Sequence, residues 1–304
     1  MKAENRVIIF GGSGFLGSHV ADALTVSGYD VTIFDLVTSP YLQQNQKMIM
    51  GNILDKEAVL SACKGMKYVF NFAGLADINQ AKDDPERTIL LNILGNQHIL
   101  ESAKQCGAKR FIFASSVYVY SESGSFYRIS KQASERIVEL YYDNYGLPFT
   151  ILRYGSLYGR RADSRNSIYR FLHSALTKKM ISYQGSGDEL REYIHAEDAA
   201  LATVKTLEQE FENKHVVLTG HQAFRVRDIM TMIAEILPGP MELNFENKHV
   251  EAHYNVTPYA YKPRVGKKLV VNPFVDMGQG VLDCIHELEE LNPHFIPKDE
   301  KLEI

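Results

Sequence analysis

Apolar positions change their spacing along the first half of the chain. Short runs at residues 7–10, 31–35, 68–72, 111–115 and 149–153 are rich in β-branched and aromatic side chains, the pattern of strands buried on both faces. Between them, residues 15–27, 55–63, 88–106 and 127–145 place apolar side chains at helical spacing. Gly28, Gly107 and Gly146 each follow a helical stretch and precede a strand, where a glycine in the left-handed conformation ends a helix. Repeated strand–helix units with short connections predict an α/β fold with a doubly wound parallel sheet. Regularity falls from Tyr154 onward: 160–166 is polar, 184–188 is a Gly/Ser turn, and prolines punctuate 238–240 and 258–263. Helices are predicted there at 196–209, 226–236 and 277–291. The expected organisation is a sheet domain over 1–155 and a smaller C-terminal α/β region over 156–304, with the chain crossing between them.

Chemistry enters at the first turn. The first strand runs into Gly11-Gly12-Ser13-Gly14-Phe15-Leu16-Gly17 and then into a helix. Gly11 permits a tight turn, Gly14 lets a pyrophosphate approach the backbone, and Gly17 allows close packing of the helix. Free N–H groups and the helix dipole favour an anion there. The glycine spacing is GxxGxxG rather than GxGxxG, and its strand–turn–helix setting makes it a Rossmann-type dinucleotide site. Asp35 ends the second strand, 18 residues after Gly17. A carboxylate there accepts hydrogen bonds from an adenosine ribose and repels a 2′-phosphate. No Arg or Lys follows until Lys47, so the expected cofactor is NAD rather than NADP.

A second constellation lies on the strand and helix that follow. Tyr127 and Lys131 are four apart and share a helix face, where an ammonium favours a phenolate and makes the tyrosine a general acid/base. The preceding strand ends in Ser115-Ser116, which puts the Ser116 hydroxyl at the carboxyl edge of the sheet, within reach of the same substrate oxygen.

These residues resemble the extended short-chain dehydrogenase/reductase family, in its nucleotide-sugar epimerase/dehydratase branch. The likeness covers most of the chain. It includes Asn52-Ile53 at the adenine-contacting position, Phe72-Ala73 in the segment Asn71-Phe72-Ala73-Gly74 beneath the cofactor, and Asn92 in the supporting hydrogen-bond network. It implies cofactor contacts from Gly11, Gly14, Phe15, Leu16, Asp35, Ser115, Tyr127, Lys131 and Tyr154 as well. Ser116, Tyr127 and Lys131 are implied as the catalytic set. The segment Leu152-Arg153-Tyr154-Gly155-Ser156 resembles the passage from nicotinamide to substrate region, with Ser156 where Asn is common. Arg191, in Arg191-Glu192-Tyr193-Ile194-His195, resembles the arginine that grips a substrate diphosphate. Arg264 resembles a later arginine on the same group, although Lys267 replaces the acid usual there. Arg161 lies in a polar loop that reads equally as a substrate lid or a solvated loop.

The implied activity is NAD-dependent oxidoreduction at C4 of a nucleotide-diphosphate sugar through a 4-keto sugar, as a 4-epimerase or 4-dehydrogenase. A 4-keto reductase and a non-catalytic nucleotide-binding protein on the same fold are the alternatives. Two departures from the family matter. Val117 and Tyr118 stand where dehydratase members carry an Asp-Glu pair, so 4,6-dehydration is disfavoured. Only ten residues separate Ser116 from Tyr127, which predicts a pocket more open on that side, accepting a bulky or branched sugar. The resemblance also implies a homodimer joined through the helices at 88–106 and 127–145; Ile89, Ile93, Ile137 and Tyr141 are compatible with it, as they are with burial in one chain.

Composition narrows the remaining choices. With 33 Lys+Arg against 37 Asp+Glu in 304 residues, the net charge of −4 offers no basic field for nucleic acid. Cys63, Cys106 and Cys284 are too scattered for a disulfide framework or a metal pair, and no histidines stand at metal-ligand spacing, so no metal is expected. No apolar run approaches the roughly 18 residues that a membrane span needs, and 7–10 is too short for a signal peptide core. A cytoplasmic location is expected. Among 17 tyrosines and no tryptophan, Tyr127 alone acquires a proposed chemical role.

Overall fold

Strand and helix alternate from the start of the chain in the computed structural model, which describes residues 5–246, 254–258, 267–269 and 273–291. The first half contains β1 (Arg6–Phe10), α1 (Phe15–Val26), β2 (Asp30–Asp35), β3 (Lys47–Met50), α2 (Lys56–Cys63) and β4 (Tyr68–Asn71). Short helices α3 (Ile78–Asp83) and α4 (Pro85–Ile89) lead through a π-helical turn, Leu90–Gly95, into α5 (Asn96–Gln105). Then come β5 (Arg110–Ser116), a 3₁₀ turn at Val117–Tyr120, the long α6 (Ser125–Tyr145) and β6 (Phe149–Tyr154). The second half holds β7 (Ser156–Tyr158), α7 (Ser167–Lys178), β8 (Met180–Tyr183), β9 (Leu190–His195) and α8 (Ala196–Lys205). It continues through β10 (Lys214–Leu218), β11 (Ala223–Arg225), α9 (Val226–Ile236), β12 (Glu242–Phe245), β13 (Lys267–Lys268) and α10 (Met277–Leu291).

The main sheet has the order β13-β10-β6-β5-β4-β1-β2-β3, and its pairings are parallel. The continuous apolar character of the strands follows from this. Val7 and Ile9 of β1 face a core shared with α1 and α8, while Ile8 and Phe10 face the opposite core with α2, α5 and α6. Both layers are apolar and buried, and each fully buried Ile or Phe contributes roughly 1.5–3 kcal/mol. The strand order reverses between β1 and β4, the switch point where a doubly wound sheet opens a ligand crevice at its carboxyl edge.

The chain crosses between its two parts. After β7 and β9 of the small sheet β11-β9-β7, α8 packs on α1, β10 re-enters the main sheet beside β6, and β11 then returns to pair with β9. A third core of α7, α9 and α10 around Tyr158 and Ile181 supports the C-terminal region. Gly28, Gly107 and Gly146 all have positive φ, as their places after helices require. Where 88–106 reads as one helix, the structure begins at Pro85 with Asp84 as cap and inserts the π turn. The short strands β3, β7 and β8 and helix α7 carry no pattern strong enough to foresee, whereas the strand-like segment Arg191–His195 lies in β9.

Candidate active site

Two loops meet at the carboxyl edge of the sheet. In the first, Gly11 has φ +81°, and a Cβ there would lie 2.5 Å from the backbone nitrogen of Ala73. A Cβ at Gly17 would lie 2.2 Å from the Gly11 carbonyl oxygen, so glycine lets α1 start against its own loop. No side chain caps α1 and no acidic residue occupies its first turn, which leaves the Gly14–Phe15–Leu16 end electropositive. The cradle therefore fits the pyrophosphate of a dinucleotide. Asp35 accepts hydrogen bonds from Ser13 N (3.0 Å) and Leu36 N (2.7 Å), so it ties the glycine loop to β2.

Further along the same edge, Asn52 is exposed and accepts from Leu54 N, while Ile53 is buried against Gly95. Phe72 and Ala73 are half-buried beneath the loop, with Ala73 N held by Asn71 Oδ1 at 3.0 Å. Asn92, on the π turn, commits its side chain to protein partners: Leu75 N and O at 2.7 and 3.0 Å, and Ser130 Oγ at 2.9 Å. It thus pins the loop after β4 to the helix that carries Tyr127 and Lys131. Its role is support, and the π turn that presents it is a device frequent at functional sites.

The second loop brings Ser116 to the helix that carries Tyr127 and Lys131. Ser116 ends β5 and caps the 3₁₀ turn, and its hydroxyl hydrogen-bonds the Tyr127 phenol. Tyr127 and Lys131 are both buried on α6. The Lys131 ammonium donates to the Ala114 carbonyl at 2.7 Å and lies 5.8 Å from the centre of the Tyr127 ring. Burial raises the Tyr127 phenol to about 12, against the lowering effect of Ser116, and burial drops Lys131 to about 8, against Glu135. The expected phenolate therefore does not arise from Lys131 alone: desolvation of the phenolate outweighs an ammonium that is turned toward a carbonyl.

Behind these groups lies an ion network that motif reasoning missed. Glu135, one turn beyond Lys131, accepts from Ser115 Oγ (2.5 Å), Arg153 Nε (2.9 Å) and Arg153 Nη2 (2.6 Å). Arg153 also donates to Tyr120 and to His215 Nδ1, and His215 Nε2 meets Glu139 at 2.8 Å. The four-residue spacing of Lys131, Glu135 and Glu139 was the available signal. Ser115 thus serves this network with its hydroxyl, and the Tyr154 hydroxyl is hydrogen-bonded to Thr203 Oγ1 at 2.5 Å.

On the substrate side the structure divides the expected arginines. Arg191 is buried with its guanidinium 4.4 Å from the centre of the Tyr254 ring, and Ser156 Oγ lies 3.5 Å from the Tyr254 hydroxyl. Arg161 is engaged elsewhere: it bonds Asp22 at 2.7 Å, lies over Tyr41, and its backbone N–H donates to Glu287. These contacts fasten the 160–166 loop to α1 and α10 instead of offering a substrate lid. Arg264 lies outside the described residues. The side next to Tyr127, expected to be open, is filled by the rings of Tyr118 (6.1 Å from Tyr127) and Tyr254 (4.6 Å from Tyr118), because the latter arrives from a distant segment. Among the described residues there is no cluster suited to a metal and no helix long and apolar enough to cross a membrane.

Comparison with known proteins places this geometry. Residues 7–220 match the family described as the NAD dependent epimerase/dehydratase family. A Methanocaldococcus jannaschii protein named "Putative UDP-glucose 4-epimerase" is 28% identical, over 94% of this chain and 99% of that one. The UDP-N-acetyl-alpha-D-glucosaminuronate decarboxylase of Bacillus cytotoxicus is 27% identical, over 77% and 80%. Among solved structures, the Thermotoga maritima UDP-glucose 4-epimerase with UDP-glucose shares the fold at TM-score 0.81 and 23% identity, covering 94% of this chain and 99% of that one.

Proposed function

Since this chain belongs to the NAD dependent epimerase/dehydratase family, we propose that it is an NAD-dependent 4-epimerase of nucleoside-diphosphate sugars, with Ser116, Tyr127 and Lys131 as its catalytic residues. The observation that carries the reading is the convergence of Ser116 and Tyr127 on one point of the sheet edge, across the crevice from the uncapped N-terminus of α1. NAD, when bound, supplies the hydride acceptor and donor for chemistry at the sugar carbon. The glycine loop and Asp35 would hold it, with Tyr127 and Lys131 at its reactive end.

The chain's own groups manage the proton and the charge. Tyr127, as its phenolate, takes the C4 hydroxyl proton as the carbonyl forms, and the resulting phenol returns it when the alcohol is restored; the positive charge of bound NAD would add to that of Lys131 in favouring the phenolate against burial, and Ser116 hydrogen-bonds the same oxygen. The Lys131 ammonium, fixed by the Ala114 carbonyl, stabilises negative charge on the phenol oxygen. Arg191 faces the diphosphate, where a guanidinium can make paired hydrogen bonds. Val117 is buried in an apolar cluster and Tyr118 carries no carboxylate, so the acid–base pair for removing water is missing from these positions. This favours epimerisation over dehydration within the family.

The test is turnover of a panel of UDP- and dTDP-hexoses, read by chromatography and mass spectrometry. An epimer of unchanged mass without net change of cofactor supports the proposal. Tyr127→Phe should reduce kcat by at least a hundredfold while the purified protein still carries NAD; surviving turnover would reject the assignment.

The homodimer is part of the same proposal. Phe126, Ile129 and Leu140 are exposed along α6, and Ile89, Leu90 and Leu94 are exposed on the adjacent helix, a surface suited to the same helices of a second copy. Tyr141, by contrast, is buried and bonded to Gln97 and Glu101 within the chain. Light scattering should give twice the chain mass, and Ile129→Asp should yield a monomer.

A further inference from the structure

Tyr254 lies about sixty residues beyond Arg191 in the chain, yet the two are stacked. The segment that carries Tyr254 docks along the edge of β9. Leu190 N donates to Asn255 O at 2.7 Å, Thr257 N to Leu190 O at 3.2 Å, and Glu192 N to Thr257 Oγ1 at 3.0 Å. The Arg191 Nη1 donates to the carbonyls of both Leu190 (3.0 Å) and Asn255 (3.3 Å). One face of the guanidinium is covered by the Tyr254 ring, and one of its nitrogens is held by two carbonyls. Its Nε and Nη2 have no hydrogen-bond partner among the described residues. That edge is the pair of parallel N–H groups suited to a phosphate. The Tyr254 ring also reaches the catalytic side, packing on Tyr118 at 4.6 Å and within the apolar cluster of Val117, Val119 and Tyr120.

We propose that Tyr254 is a positioning residue for substrate binding: its ring fixes the Arg191 guanidinium with the Nε–Nη2 edge turned to the nucleoside diphosphate, and joins that site to the Ser116–Tyr127 edge. The inference rests on the proposed role of Arg191 at the diphosphate. The stacking face does the work; the Tyr254 hydroxyl contributes little, since among the described residues its hydrogen-bonding neighbour, Ser156 Oγ, is 3.5 Å away. An unstacked arginine must be ordered anew by each substrate, which lowers affinity without altering groups at the reacting carbon.

The experiment uses full-length protein purified with its NAD. Titration calorimetry with UDP, GDP and dTDP selects the tightest-binding diphosphate, and steady-state kinetics follow with the matching sugar nucleotide. Tyr254→Ala should weaken the diphosphate about tenfold and raise KM by a similar factor, with a much smaller change in kcat. Tyr254→Phe, which keeps the ring, should restore most of that affinity. The double variant Tyr254→Ala/Arg191→Ala should bind no more weakly than Arg191→Ala, because the tyrosine acts through the arginine. Unchanged affinity in Tyr254→Ala, equal losses in the Phe and Ala variants, or additive losses in the double variant would each overturn the inference. Arg191→Ala with undiminished diphosphate binding would instead reject the role of Arg191 itself. Equal NAD content in all variants serves as the check that each is folded.

Discussion

Replacing Arg153 with methionine removes the cation from a site that was built around it. Both side chains of the Arg153–Glu135 pair are nearly inaccessible, 5% and 7% exposed, and two guanidinium nitrogens bond the two carboxylate oxygens. The methionine fills much of the arginine's volume but leaves Glu135 buried, with Ser115 and His215 as remaining partners. Breaking a buried pair in this way costs about 3–5 kcal/mol, whereas replacing both members with apolar residues costs far less. The pH dependence gives a sharper signature. In the native protein burial would raise the Glu135 carboxyl, but Arg153, His215 and Ser115 together hold it below its ordinary value. A depressed carboxylate stabilises the fold above its unfolded pKa, and that contribution is lost as pH falls through the folded value. Without Arg153, burial dominates and the shift reverses, so the variant is penalised at neutral pH and relieved on acidification. Urea unfolding of cofactor-free protein at pH 7 and pH 5 measures both effects through the midpoint. The difference between native and Arg153→Met should be largest at pH 7 and shrink at pH 5, and Glu135→Leu/Arg153→Met should recover much of the loss. A cost below about 1 kcal/mol, the range of exposed pairs, or a cost independent of pH would refute the reasoning.

Two other perturbations follow from the site. Burial holds Lys131 at about 8, below its unfolded value of roughly 10.4, so the unfolded chain binds more protons between these limits. Native cofactor-free protein should therefore gain stability as pH rises from about 8 toward 10 relative to Lys131→Met, and urea midpoints across that window check the sign. Asp35→Ser removes charged acceptors from the ribose end of the crevice and from Ser13 N. NADH affinity should fall roughly tenfold to a hundredfold, the cost of losing hydrogen bonds to a charged group, while the preference over NADPH narrows. Cofactor fluorescence can report it directly, because the chain has no tryptophan.

The parallel sheet, its glycine loop and the Ser116–Tyr127–Lys131 order were legible because each depends on local rules. A strand buried on both faces must be continuously apolar, a loop that meets a pyrophosphate must lack Cβ atoms, and two residues four apart must share a helix face. The same locality explains what stayed hidden. Arg161 and Arg191 are alike as letters; only the tertiary structure spends one on Asp22 and Tyr41 and leaves the other, among the described residues, a free edge beside Tyr254. The protonation of Tyr127 also depended on the assembled site, since spacing to Lys131 says nothing about desolvation or about the Ala114 carbonyl that draws the ammonium. Sequence by itself determined the fold class and singled out Ser116, Tyr127 and Lys131 as the proposed reacting groups, through periodicity and spacing along one strand–helix unit. Tertiary structure decided which charges are paired, which face Tyr254 covers and how the two halves interleave, because burial and long-range contact arise only when distant segments meet.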